Sequence, residues 1–229
     1  MDDFMPLFPL SLVVYPGESF RLHIFEERYK QLINECVKED KTFGVPAVIE
    51  QSVGRIATEV KVLSVDKRFA GGEMDISTQG VGRFEILNFY REAPGKLYAG
   101  ADVAWLHEDM GTQPSLQQEV FDLLGQLHQT MGIERRLVDG VEEIESYLLG
   151  HQIGLTLKQE YELLSLSTEI DRLGFIKQHI EGILPVVRET QRMKAKAKLN
   201  GHYKNIVPPN FLVGEGEERR LKKLKKVKS

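Results

Sequence analysis

Near residue 110 the spacing of the apolar residues changes from the rhythm of strands to that of helices. Upstream, runs at 42–49, 54–66, 73–78, 83–90 and 97–106 are rich in β-branched and aromatic residues and are separated by Gly, Pro, Asp and Asn, which reads as strands and turns. Downstream of Pro114, the residues Leu116, Val120, Leu123, Leu124, Leu127 and Met131 recur at helical spacing, and Ile144, Tyr147, Leu148 and His151 continue it. Two rhythms in separate stretches predict an α+β fold. The expected organisation is a β-rich domain over 1–110, a helical bundle over 111–203, and an extended segment with a basic tail over 204–229, disordered from about Gly214.

Local signals fill in this frame. Residues 7–15 and 18–25 read as two strands joined at Pro16-Gly17, where proline presets φ and glycine accepts a positive one. Tyr29, Leu32, Ile33, Cys36 and Val37 predict an amphipathic helix over 26–38, with Glu26 and Glu27 at its positive end. Many short strands with one early helix suggest a small, partly closed β-barrel. The stretch 66–73 (DKRFAGGE) predicts a hairpin tip, and Arg68, Phe69 and Met74 at that tip are the candidate polypeptide-contacting residues. Thr156 with Gln159 and Thr168 with Asp171 have the spacing of capping boxes. The second opens a long helix whose apolar face holds Ile170, Leu173, Ile176, Ile180, Ile183, Leu184 and Val187. Gly182 and Pro185 predict a kink near 180–182, and Asn200-Gly201 a terminal cap.

Charge is unevenly placed. The net charge is -4, yet residues 187–229 carry 13 Lys/Arg against 4 Glu, which leaves residues 1–186 at about -13. The first residues lack the basic region and cleavage site of a signal peptide, and no apolar run approaches the roughly 20 residues a spanning helix needs, so a cytoplasmic protein is expected. One cysteine, Cys36, leaves no disulfide and no Cys-based zinc pattern.

Motifs for chemistry are weak. Gly95-Lys96 is followed by Leu97 rather than Ser or Thr, so there is no phosphate-binding P-loop. Gly80-Val81-Gly82 lacks the third glycine of a dinucleotide fingerprint and runs into strand, which favours a turn or bulge. The six histidines are scattered without ligand spacing, Cys36 lies on an apolar helix face, and no GxSxG elbow occurs. No catalytic residue, metal or cofactor is assigned.

The segment from Met5 to Glu18 (MPLFPLSLVVYPGE), followed by 22–29 (LHIFEERY), closely resembles the opening of the Lon N-terminal domain family. The stretches 53–57 (VGRIA) and 75–86 (DISTQGVGRFEI) are similar to its paired strands, and 155–164 and 169–173 to the helices that follow. The resemblance implies a PUA-like β-barrel followed by helices, used to engage substrate polypeptide. Because the sequence ends where Lon would continue into its ATPase and Ser-Lys protease domains, it implies an ATP-independent, non-catalytic binding module. The alternative is RNA binding by a PUA-like protein through Arg192, Lys194, Lys196 and Lys198 and the basic tail, against which the acidic remainder argues. An unfolded or specific polypeptide is the expected partner, and no membrane.

Overall fold

The computed structural model describes residues 3–133 and 137–199. These divide into two compact units, one formed by residues up to 108 together with 156–165, the other by 109–155 with the chain from 166 onward. The architecture is α+β.

The first unit is a six-stranded sheet with two helices: β1 Asp3–Leu7, β2 Ser19–Ile24, α1 Glu27–Glu39, β3 Phe43–Ile49, β4 Ser52–Arg68, β5 Met74–Tyr90, β6 Ala99–Leu106 and, returning later in the chain, α4 Leu157–Ser165. The strand order is β2-β5-β4-β3-β1-β6, and β6 also pairs with the second half of β5. All pairings are antiparallel except β1 with β3, where Leu7 faces Gly44. The expected first strand, 7–15, differs. The observed β1 ends at Leu7, and the chain beyond it holds only a bridge from Leu10 to Ala47, because Pro9 has no N–H to donate to a ladder.

The two runs expected at 73–78 and 83–90 are one continuous strand, β5. The glycines between them do not end it. They sit at a bulge, since Gly80 pairs with Val60 and Gly82 with Glu59, leaving Val81 as the extra residue. Gly80 is held at this bend: its N–H donates to the Glu18 carbonyl at 2.9 Å and its own carbonyl accepts from the Gly17 N–H at 2.9 Å. A Cβ on Gly80 would lie 2.3 Å from the Tyr15 carbonyl oxygen, whereas the nearest atom to a Cβ on Gly82 is a Glu59 carboxylate oxygen at 3.6 Å.

Alternation along the strands sends one set of side chains inward. Leu22, Ile24, Val60, Met74 and Ile76 meet Tyr29, Leu32, Ile33 and Cys36 of α1 in the larger core cluster. Met5, Leu7, Ala57, Phe84, Ile86, Ala101 and Val103 form a smaller one. The Phe8 ring stacks on Tyr29 with centroids 3.7 Å apart.

Helix α4 was expected with the helical part, yet it belongs to the first unit. Three polar ties explain this. Tyr15 Oη donates to the Glu160 carbonyl (3.1 Å), the Ile56 N–H donates to Tyr161 Oη (3.0 Å), and buried Arg83 donates to the Leu164 carbonyl while pairing with Glu108. The capping box at its start is present, with Thr156 N–H to Gln159 Oε1 at 3.0 Å and Gln159 N–H to Thr156 Oγ1 at 3.3 Å.

The second unit packs α2 Pro114–Met131 against α5 Glu169–Leu199, with a 3-10 turn at Val141–Glu143 and the short α3 Ser146–Leu149. Val120, Leu124 and Leu127 of α2 and Leu173, Ile176, Ile180, Leu184 and Val187 of α5 are buried. Ile170 was expected on that face but is 41% exposed, because Glu169 and Arg172 occupy the inward positions of the first turn. Glu169 accepts from the Ser146 N–H (2.7 Å) and Oγ (2.6 Å) and pairs with Arg172 at 3.0 Å. Arg172 also donates to the carbonyls of Leu166 and Asp109 and lies over the Tyr147 ring. The helix runs on through Pro185. The expected cap at Asn200-Gly201 and the basic tail lie outside the described residues.

Two substitutions separate the roles of the paired glycines. Gly80→Ala is expected to lower the melting temperature sharply, through the clash with a backbone carbonyl, while Gly82→Ala changes it little, as differential scanning calorimetry would record. A second expectation concerns acid. Burial holds the imidazoles of His128 and His179 below their ordinary pKa, in His179 against a ring N–H donated to the Ile153 carbonyl. The unfolded chain therefore takes up protons near pH 6.5 that the folded one refuses, so this stability is complete above that pH and declines below it. The melting temperature should be lower near pH 5.5 than near pH 7.5, and replacing both histidines by glutamine should flatten the difference.

Candidate functional site

The expected hairpin tip forms between β4 and β5. The Phe69 N–H donates to the Glu73 carbonyl (2.9 Å), the Gly72 N–H donates to the Phe69 carbonyl (3.0 Å), and Gly72 takes φ +83°, which a side chain would oppose. Phe69 is 36% exposed. The Lys67 ammonium lies 4.4 Å from its ring centroid, and the His23 ring meets it edge-on at 5.8 Å. His23 in turn stacks on Phe25 at 6.1 Å and bonds Asp75 through Nδ1 at 2.6 Å. Arg68 is exposed and donates to Asn34 Oδ1 of α1 at 3.0 Å.

Met74 does not join them at the surface. It is fully buried in the larger core cluster, because the inward phase of β5 begins with it and continues through Ile76 and Thr78. Of the three expected contact residues, the tip therefore presents Arg68 and Phe69 only.

Between this tip and α1 opens a cleft of about 620 Å³, with Lys30, Gln31 and Asn34 on one wall and Gly71, Gly72 and Leu97 among the others. Lys30 spans its mouth, donating to Glu27 Oε1 and to the Gly71 carbonyl, both at 2.9 Å. Gln31 Oε1 accepts from the Leu97 N–H at 3.0 Å, and Leu97 is 59% exposed. Below, Glu35 accepts from Lys96 Nζ (2.8 Å) and Tyr98 Oη, which holds its carboxyl below the ordinary carboxylate range.

Cys36 lies in the core under this wall, and burial, with the negative charges of Glu35 and Glu39 adding to it, pushes its thiol up to about 12. At neutral pH it is a thiol and not the nucleophilic thiolate.

A second surface was missed by the sequence analysis. Five large aromatic side chains among the described residues are exposed, and four of them, Phe4, Phe89, Tyr90 and Trp105, come from β1, the end of β5 and β6. Alternation alone did not flag them, because Phe89, Tyr90 and Trp105 lie in runs that read as ordinary strand and Phe4 precedes the first expected one.

The basic residues considered for nucleic acid lie on the last turns of α5. Arg192 is exposed, 3.8 Å from Glu189, Lys194 is half-buried, Lys196 is exposed, and the side chain of Lys198 lies outside the described residues. No described helix is long and apolar enough to cross a membrane.

Known proteins share this fold. The Lon N-terminal domain protein from Xanthomonas campestris superposes with a TM-score of 0.57 at 23% identity, covering 75% of this chain and 95% of that one. The N-terminal domain of Mycobacterium avium complex Lon protease gives 0.61 at 19% identity, covering 78% and 98%. In sequence, the Lon protease of Syntrophus aciditrophicus (strain SB) is 26% identical over an alignment of 106 residues, and the match covers 41% of this chain and only 13% of that curated relative. Residues 5–181 match the model of the ATP-dependent protease La (LON) substrate-binding domain, and the chain belongs to that family.

Proposed function

We propose that this chain is a non-catalytic, ATP-independent module that binds polypeptide, with the β4–β5 tip and its cleft against α1 as a contact region. The family's substrate-binding character supports the first part of this reading, and the exposed Arg68 and Phe69 beside a cleft lined with main-chain-binding groups support the second. A bound segment would lie extended, its main chain meeting Lys30, Gln31 and the glycine backbone, with an apolar side chain against Phe69. Such contacts use main-chain groups common to all sequences, which suits a receptor for many polypeptides. The finer fold reading, a partly closed PUA-like barrel, is supported by β6 pairing with both β1 and β5, which returns the ladder to a strand already in it. A cytoplasmic location belongs to the same reading. The comparisons lend no support to RNA binding.

Fluorescence anisotropy with reduced, carboxymethylated α-lactalbumin, a permanently unfolded chain, tests the proposal, with labelled single-stranded RNA alongside. Saturable, salt-resistant binding of the polypeptide is expected, weakened about tenfold by Phe69→Ala and by Arg68→Glu, each on the order of 1.4 kcal/mol. The melting temperature should not move, because both side chains are at the surface. Unaltered affinity in both variants would remove the tip from the reading. Absence of polypeptide binding together with salt-sensitive RNA binding would overturn it.

A further inference from the structure

The outer face of β1, β6 and the end of β5 carries an arrangement that the fold does not require. Phe4 pairs with Asp102 across β1 and β6, and Asp102 pairs with Asn88 across β6 and β5. Directly paired residues project to the same side of a sheet, so these three form one row. The next row on that face is Pro6, Gly100 and Tyr90. The Phe4 ring brings its Cζ end against Gly100, where a Cβ would come within 2.3 Å of it, and its centroid is 6.3 Å from that of Tyr90. Phe4 is 46% and Tyr90 40% exposed.

In this row lies a half-buried carboxylate, Asp102, held in place by two neutral donors, Tyr90 Oη at 2.6 Å and Asn88 Nδ2 at 3.2 Å. Among the described residues no Lys or Arg reaches it within ion-pair distance. Several other half-buried carboxylates of this unit do have a cation, as Glu35 has Lys96, Glu85 has Arg55 and Glu108 has Arg83. A fixed negative charge beside two exposed aromatic residues is the chemistry that receives a guanidinium or ammonium group: the carboxylate supplies the ion pair and the rings the cation–π attraction.

We propose that this face is a specificity site for an arginine or lysine side chain of a bound polypeptide, with the cation on Asp102 and its aliphatic stem along Phe4 and Tyr90. The inference rests on the polypeptide-binding reading above and adds a preference to it. Charge complementarity selects the occupant, since the uncompensated charge here is negative while the tip offers Lys67 and Arg68. Arginine fits better than lysine, because its planar group can stack on a ring and still meet both carboxylate oxygens.

The test uses the full chain and two short fluorescein-labelled peptides of glycine, serine and leucine, one carrying arginines and its twin carrying glutamine in their place. At physiological salt the arginine peptide is expected to bind about fivefold or more tighter, as one cation–π contact with an ion pair allows. Asp102→Asn and Phe4→Leu should each abolish the preference. Asp122→Asn, the same change of charge at an exposed position on α2, should leave it intact. If Phe4→Leu fails to fold, Asp102→Asn, which exchanges one oxygen for an amide, decides alone.

Equal binding of the twins overturns the proposal, as does a preference that survives Asp102→Asn. Equal loss in Asp122→Asn does so too, by reducing the effect to general attraction to an acidic protein. Each of these leaves polypeptide binding standing if the unfolded α-lactalbumin still binds. Failure of that ligand as well would take both readings down.

Discussion

The β4–β5 ladder is the contact on which the first unit depends. β5 is long enough to pair with β2 along its first half, with β6 along its second, and with β4 from Met74 to Glu85, so three ladders share one backbone. A straight strand could not serve all three, and the bulge at Val81 supplies the bend. Gly80 makes that bend possible by letting the Tyr15 carbonyl come closer than any side chain would permit. The residues around the bend follow from it. Thr58, opposite Arg83, donates to the Val14 carbonyl and fixes the segment before β2, while Arg83 reaches outward from the same point to α4.

Two buried arginines hold the units internally, each in its own. Burying a guanidinium is costly unless its donors are satisfied and its charge is met. Arg83 meets a carboxylate and a helix-end carbonyl, and Arg172 meets a carboxylate, a hydroxyl, two carbonyls and a ring. No described buried side-chain nitrogen or oxygen lacks a partner. Such networks add less to stability than an apolar core of equal volume would, but they tolerate few alternative arrangements. That selectivity suits segments such as α4 and the start of α5, whose apolar stripes alone could dock in several ways.

The surface of the first unit divides its chemistry. At one end of β4 and β5 stand a phenylalanine, a lysine over its ring and an arginine, beside a cleft lined by Lys30, Gln31 and glycine backbone. On the face built from β1, β6 and the far end of β5 stand two aromatic rings around an uncompensated carboxylate.

The sequence by itself determined the class of fold, most strands, the helix over α1, the capping box at Thr156 and the hairpin tip with Arg68 and Phe69. These follow from periods of two and about 3.6 and from turn chemistry, which act between near neighbours. It also carried the family, through the motifs around 5–29 and 75–86. Tertiary structure alone decided the rest. Gly80-Val81-Gly82 became a bulge within one strand because two partner strands were there to pair on either side. Helix α4 joined the sheet because Tyr15 and Arg83 reached it, and its own Tyr161 reached Ile56, across long stretches of chain, and Met74 turned inward because β5 took its phase from the core. Phe4 came to Tyr90 and Asp102 only through the pairing of β1 with β6, nearly a hundred residues on, a long-range geometry that no local pattern encodes.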